Sequence, residues 1–371
     1  MQYQNVCLET FACSVPEEIV TSEQIETWLA PVYGRLRLPE GRLELMTGIV
    51  QRRFWPRGTL PSRTSARTAE KALRLANLDR RLVGALVHGS VCRDYLEPAT
   101  ACRVHRELGL RPDCMIYDVS NACLGLLDGI VQVANMIELG QIQAGIVVGT
   151  ESSRALVEST VRMLNEDTSL ERVEVKRAMA SLTLGSGSAA VLLTDRRLSR
   201  TGNRLLGGLA WANTAACELC YGPRDVSLGG DGRPVMWTDS EALLQGGIQA
   251  AKEAFPRFLD AVGWEPDEMD KTFCHQVGRV HRKMIFEALG LDPGLDYSTL
   301  EWLGNTGSVA LPLTAALGVQ RGHVRSGEHL ALMGIASGIN VMVLGVDWQE
   351  SLADEGSRAA LGPGCVAGQV L

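Results

Sequence analysis

Three residues far apart in the chain carry the side chains that acyl transfer requires: Cys123, His275 and Asn305. Cys123 stands in DVSNACLGLLDGI, residues 118–130, where a polar stretch gives way to an apolar run. At the start of a helix, unpaired N–H groups and the helix dipole favour a thiolate. Leu124, Leu126 and Leu127 act the other way, because apolar surroundings disfavour the charged form. The chain has 10 cysteines, most of them packing residues, so position rather than residue type singles out Cys123. His275 closes an apolar strand pattern in TFCHQVGR. Asn305 lies in LGNTGSVALP, ahead of an apolar helix pattern; taken alone, it reads equally as a cap or turn residue. Gly338, in GIASGIN, lets the backbone approach a ligand closely. Its N–H and that of Cys123 would together form an oxyanion hole, the other reading being a plain hairpin turn.

The elements that must position these residues alternate between helix and strand patterns, which predicts an α/β layered fold. SARTAEKALRLANL is helical, LVGALVHGSV a buried strand, LEPATACRVHRELGL helical and CMIYDVS a strand. A helix then runs from Cys123 to Leu139 and stops at Gly140. AGIVVGTE is a central strand, and LTLGSGSAAVLLT is read as part of a strand pair. The second half repeats the order: helix GGIQAAKEAFPRFLDAVG, strand DKTFCHQVG, turn and helix GNTGSVALPLTAALGVQRG, strand pair HLALMGIASGINVMVLGV. This duplication divides the chain into residues 1–200 and 201–348, with the boundary in the polar segment 196–206. It places Cys123 and Asn305 at equivalent helix starts, which pseudo-two-fold symmetry would bring face to face with His275 beside them. Residues 349–371 lack a period and read as a loosely held tail.

A chain of 371 residues with 46% hydrophobic content fits a globular enzyme. A net charge of −7, from 36 basic and 43 acidic residues, argues against a nucleic-acid partner. The Arg52-Arg53 and Arg282-Lys283 pairs remain suited to the phosphates of a small ligand. The N-terminus has no basic head followed by an apolar stretch, and no run reaches the length of a membrane span. A cytoplasmic location with reduced cysteines is therefore expected. Cys217-Glu-Leu-Cys220 is a lone CxxC without a second ligand pair, so no metal or other cofactor is expected.

DVSNACLG, CHQVGR, GNTGSVALPL and GIASGIN, in this order and spacing, resemble the thiolase-superfamily condensing enzymes, and within them the β-ketoacyl-acyl-carrier-protein synthase III branch. LTLGSGSAAVLL resembles that branch's Gly-rich hairpin, with Ser186 where an Asp usually stands; TGIVQRRFW resembles the segment near the CoA entrance. The likeness spans roughly residues 5–348. It implies a thiolase-like five-layer αβαβα fold of two pseudo-symmetric halves. Cys123 would be acylated by a thioester, His275 and Asn305 would hold the second thioester's carbonyl, and the Cys123 and Gly338 N–H groups would hold the oxyanion. The expected partners are fatty acyl-CoA or acyl-carrier-protein thioesters and a second copy of the chain, with downstream enzymes of the same route also conceivable. Arg52, Arg53 and Arg279 are the candidates for CoA phosphates.

The Cys/His/Asn set does not name the substrate. A decarboxylating enzyme makes its carbanion by losing CO₂ from a malonyl thioester, whereas a Claisen enzyme must remove an α-proton and needs a positioned base. Glu97, in SVCRDYLEPAT ahead of Pro98, sits in a loop and reads by itself as a solvated acid. Arg93-Asp94-Tyr95-Leu96-Glu97-Pro98 and the N-terminal segment, however, resemble the OleA-type acyl-CoA condensing enzymes of olefin biosynthesis. There a Glu in this motif, reaching across the dimer interface, is implicated as the base. This implies non-decarboxylative condensation of two fatty acyl-CoAs to a 2-alkyl-3-keto acid. The alternatives are a decarboxylating synthase III, a non-catalytic homologue, and an acyltransferase acting on an alcohol or amine.

Overall fold

The computed structural model describes residues 1–222 and 234–352. The strands are β1 (Val6–Ser14), β2 (Glu18–Thr21), β3 (Gln51–Phe54), β4 (Val83–Gly89), β5 (Met115–Val119), β6 (Ala144–Glu151), β7 (Gly187–Asp195), β8 (Arg204–Ala212), β9 (Cys220–Tyr221), β10 (Trp237–Thr238), β11 (Lys271–Cys274), β12 (His329–Ala336) and β13 (Asn340–Asp347). The helices are α1 (Ser22–Trp28), α2 (Ala30–Leu36), α3 (Arg42–Thr47), α4 (Pro61–Ala76), α5 (Thr100–Leu108), α6 (Gly125–Glu138), α7 (Arg154–Glu166), α8 (Arg172–Leu182), α9 (Ser240–Val262), α10 (Arg279–Leu289), α11 (Leu300–Leu303) and α12 (Ala310–Gln320).

Nine strands form one sheet in the order β11-β12-β13-β8-β1-β7-β6-β4-β5. Its two blocks meet where β1 touches β8 through the single pair Cys7↔Arg204. Strand alternation sorts the side chains into layers. Val147, Val191 and Leu193 of one block and Leu330, Leu332 and Leu344 of the other face a shared core, filled by α6 and α12. Ile146, Val148 and Leu192 point to the opposite face, under α4 and α5. Ala331, Val341 and Val343 likewise face outward, under α9. The succession is helix, sheet, helix, sheet, helix: the αβαβα layering expected from the likeness. The first ten residues of α12 are buried, as befits a helix covered on both sides.

Two readings need correction. LTLGSGSAAVLLT is not a Gly-rich hairpin: α8 ends at Leu182 and one strand, β7, follows, paired antiparallel with β6 and β1. The intervening residues brace Asn305 instead, as described below. The helix after Cys123 begins at Gly125, two residues later than expected, and stops as expected before Gly140, whose φ is 68°. The tail beyond residue 352 lies outside the described residues.

Candidate active site

One cavity of about 520 Å³ is lined by Cys123, His275 and Asn305 together. Its size is that of a small-molecule site, ~300–1,000 Å³. From these three residues it continues between α9, α10 and the β12–β13 hairpin, past Leu243, Phe255, Ile285, Phe286 and Val341. A second apolar side is formed by Leu156, Ala180 and Leu184.

Cys123 follows β5 in a tight turn. Asn121 and Cys123 are bridged to each other, and Ala122 between them has φ 45°. An alanine in this left-handed region is strained, and such strain persists only where surroundings impose it. Of the two opposing influences on the thiol, burial prevails: it pushes the Cys123 pKa up to about 12, with the Glu151 charge and then Cys220 acting in the same direction. Burial carries His275 down to about 4, assisted by His281. At neutral pH Cys123 is therefore a thiol and His275 a neutral imidazole, not an ion pair. Because the thiolate of the free enzyme is populated only at high pH, iodoacetamide alkylation of Cys123 is expected to accelerate steadily from pH 7 to pH 10. Mass spectrometry of quenched samples reads this directly; a plateau near the ordinary thiol value of ~8.5 would contradict it.

His275 follows β11, and its N–H donates to Met333 O at 2.9 Å, so the sheet register itself sets its position. Its Nδ1 is buried and has no hydrogen-bond partner among the described residues, leaving Nε2 as the nitrogen able to meet a ligand. Asn305 is clamped through its backbone. Its N–H donates to Thr183 O at 3.0 Å, and its carbonyl accepts from Gly185 N–H at 2.8 Å. The Asn305 Oδ1 accepts from Gly307 N–H at 2.9 Å, which leaves the NH₂ end to donate to a carbonyl. This clamp requires glycine: a Cβ on Gly185 would lie 1.9 Å from Leu303 O. Gly185→Ala is expected to cost about 3 kcal/mol by overpacking. A lowered denaturant midpoint together with reduced turnover would report both the strain and the displaced Asn305.

The remaining sequence candidates separate. Gly338 occupies the turn between β12 and β13 with φ 138°, among the cavity-lining residues Ser337 and Ile339. Glu97 is exposed and does not line the cavity of its own chain. The root of its loop does, through Val91 and Cys92. Arg52 is corrected: it is 0% exposed, donates to Ser22 Oγ and Leu182 O at 3.1 Å each, and cannot meet a phosphate at the surface. Burial lowers its pKa to about 10. Arg53 also serves the structure, with Nη1 donating to Pro16 O at 2.9 Å and Nε buried without a partner among the described residues. Arg279 is exposed at the first turn of α10, between the cavity-lining Gly278 and His281. Arg282 is committed to Asp296 at 2.6 Å, and Lys283 approaches Glu287 at 3.7 Å. Of the CxxC pair, Cys217 is exposed and Cys220 lines the cavity.

Two cavity residues escaped the sequence reading. Glu151 ends β6 and accepts from Val91 N–H at 3.0 Å, Cys92 N–H at 3.3 Å and Ser308 Oγ at 2.5 Å. It thus ties the root of the Glu97 loop to the turn after Asn305. His281, in the first turn of α10, is drawn below the ordinary histidine value by burial. The acid closing AGIVVGTE was the available signal for Glu151; His281 had only its place in the helix that follows the His275 segment.

Two relatives align along nearly the whole chain. The acyl-CoA:acyl-CoA alkyltransferase of Shewanella oneidensis is 41% identical over 352 residues, 94% of this chain and 100% of the relative. That of Xanthomonas campestris is 34% identical over 349 residues, 94% and 100%. The chain belongs to the acyl-CoA:acyl-CoA alkyltransferase family. Residues 45–196 of this alkyltransferase-family chain match the thiolase N-terminal domain, and residues 259–348 match the C-terminal domain of 3-oxoacyl-[acyl-carrier-protein] synthase III. Its fold is that of X. campestris OleA. The cerulenin-bound structure superposes with a TM-score of 0.88 at 33% identity, covering 94% of this chain and 98% of that one. A Cys-to-Ser variant with bound lauric acid and lauroyl-CoA gives 0.87 at 32%, covering 93% and 100%. The alkyltransferase-family chain is thus a thiolase-fold acyltransferase. No helix among its described residues is long and apolar enough to cross a membrane.

Proposed function

We propose that the protein joins two fatty acyl-CoA molecules by non-decarboxylative Claisen condensation, giving a 2-alkyl-3-keto acid. The observation that carries this reading is the single cavity that holds Cys123, His275 and Asn305 together and extends along two apolar sides. Cys123 Sγ attacks the first thioester carbonyl, the oxyanion rests on the Cys123 and Gly338 N–H groups, and CoA leaves with the proton. The second acyl-CoA binds with its carbonyl oxygen on His275 Nε2 and the Asn305 NH₂. A base removes its α-proton, and the carbanion forms the C–C bond at the Cys123 thioester carbon, expelling the thiolate, which regains a proton. Water then cleaves the remaining CoA thioester. Purified protein given acyl-CoA alone should release CoA and a coupled product of the predicted mass. Turnover only after addition of a malonyl donor would establish the decarboxylating alternative.

We assign the base to Glu97 of a second copy of the chain. Homodimerisation is supported by β5, which is the outer strand of the sheet and, among the described residues, pairs only with β4. Met115 at its start is 53% exposed, and the neighbouring loop exposes Val91, Tyr95 and Leu96 at 52%, 53% and 71%. An unpaired edge flanked by apolar side chains is a surface that natural proteins usually cover. The loop is braced: Asp94 accepts from Ser62 N–H at 2.9 Å and from Ser62 Oγ at 2.6 Å, and pairs with Arg103 at 3.4 Å. Light scattering is expected to give twice the chain mass.

Chain-length preference follows from the cavity wall. A Cβ at Gly247 of α9 would lie 3.0 Å from Ile335 Cδ1. Gly247→Leu is expected to lower kcat/KM for long acyl-CoAs by ~10-fold or more while sparing short ones, since a few misplaced methylenes cost ~1–3 kcal/mol. A competition assay with mixed chain lengths measures the shift.

A further inference from the structure

The two backbone groups assigned to the oxyanion hole come from opposite halves of the chain, and a side-chain contact joins the segments that carry them. Asn340 Nδ2 donates to Asn121 Oδ1 at 3.3 Å, across 219 residues of sequence, and lies 3.5 Å from Ser337 O in its own turn. Asn121 is two residues before Cys123, and Asn340 is two residues after Gly338. Asn340 also packs under the turn: a Cβ on Gly338 would lie 2.6 Å from its Nδ2. Burial raises the pKa of the Asp128 carboxyl in the first turn of α6, and the neighbouring Asn121 side chain acts to lower it. Asn121, Asp128 and Asn340 line one small cavity of about 160 Å³, separate from the substrate cavity. The backbone on either side is anchored independently. Ile339 exchanges two hydrogen bonds with Asn213, at 2.7 and 2.8 Å, and Leu124 N–H donates to Asn121 O at 2.9 Å.

We propose that the Asn121–Asn340 contact is a cross-link that sets the separation and aim of the Cys123 and Gly338 N–H groups, making both asparagines positioning residues for acylation. Neither touches the reacting atoms. Their effect passes through Ala122, held at φ 45°, and through the turn at Gly338, held at φ 138°. For an alanine that conformation persists only under constraint, whereas glycine reaches its own freely, so the turn at Gly338 must be held by its contacts. An oxyanion hole works because its donors are fixed before charge develops, and a displacement of ~1 Å can cost ~10²-fold in rate. The proposal rests on the reading of Cys123 as the acylated nucleophile.

The test compares two reactions of the same sulfur. Transfer from acyl-CoA passes through a tetrahedral oxyanion, whereas alkylation by iodoacetamide is a displacement at carbon that needs no such hole. Asn340→Ala, Asn121→Ala and the double variant would be assayed for the burst of CoA released on acylation and for the rate of alkylation. Acylation is expected to slow by ~10–100-fold in each single variant, with alkylation within about twofold of the parent. The double variant should be no slower than the slower single, because either change already breaks the contact. Acylation unchanged within twofold would overturn the proposal. So would equal slowing of both reactions, or single effects that multiply in the double variant. A parent protein that alkylates at Cys123 but is never acylated would instead remove the reading of the nucleophile, so the two failures are distinct.

Discussion

Replacing Cys123 with alanine is expected to leave the protein folded and to stop the reaction at its first step. The side chain lines a cavity, so its loss removes one sulfur from a wall and leaves the layered core intact. Turnover should fall by ~10⁴-fold or more, since no covalent intermediate can form. Three other cysteines line the same cavity, and each is placed against the role. Cys92 Sγ donates to Ser152 O, and burial with the Glu151 charge holds its pKa well above the usual value. Cys274 Sγ is turned to Thr272 Oγ1, and burial with the Asp296 charge has the same effect. Cys220 Sγ sits 3.3 Å from Thr238 Oγ1. Mass spectrometry after exposure to acyl-CoA should find one adduct per chain in the parent and none in the variant. An adduct persisting on another cysteine would mean that the nucleophile is misassigned.

The contrast between Cys123 and its neighbours shows what was legible in the sequence. Helix and strand periods placed the alternating elements, because burial on one or both faces leaves a direct pattern in the chain. The duplicated order paired Cys123 with Asn305 and set His275 beside them, and all three line the cavity. Long-range backbone geometry left no such pattern. Ala122 adopts φ 45° against the ordinary preference of alanine, so no local propensity announces it. LTLGSGS was misread because its glycines serve close approaches, Gly185 to Leu303 and Gly187 to Leu313, rather than a turn. Arg52 was misread for a related reason. A basic pair next to a ligand-like motif suggests a surface, yet Arg52 sits on β3 with its guanidinium turned into the protein, where carbonyl and hydroxyl oxygens from distant segments receive it.

Glu97→Ala is expected to separate the two halves of the reaction. Acylation of Cys123 does not involve an α-proton, so the variant should still release one CoA per chain and hold the acyl group. Condensation should fall by ~10²–10⁴-fold, the usual contribution of a positioned general base. The lining of the cavity supports a base supplied from elsewhere. Among the described residues two carboxyl groups line it, Glu151 and Asp296. Glu151 is engaged by two backbone N–H groups and Ser308, and Asp296 by Arg282 and Cys274 N–H. A carboxylate held in this way is poorly placed to take a proton from substrate. If Glu97 acts across a two-fold interface, Cys123→Ala and Glu97→Ala chains should rescue one another. Each mixed dimer contains one site with an intact Cys123 from one chain and an intact Glu97 from the other. Equal mixing after dissociation should therefore restore about a quarter of the parent activity from two inactive proteins. No recovery, with mixed dimers demonstrably formed, would place Glu97 in the site of its own chain or remove it from the chemistry.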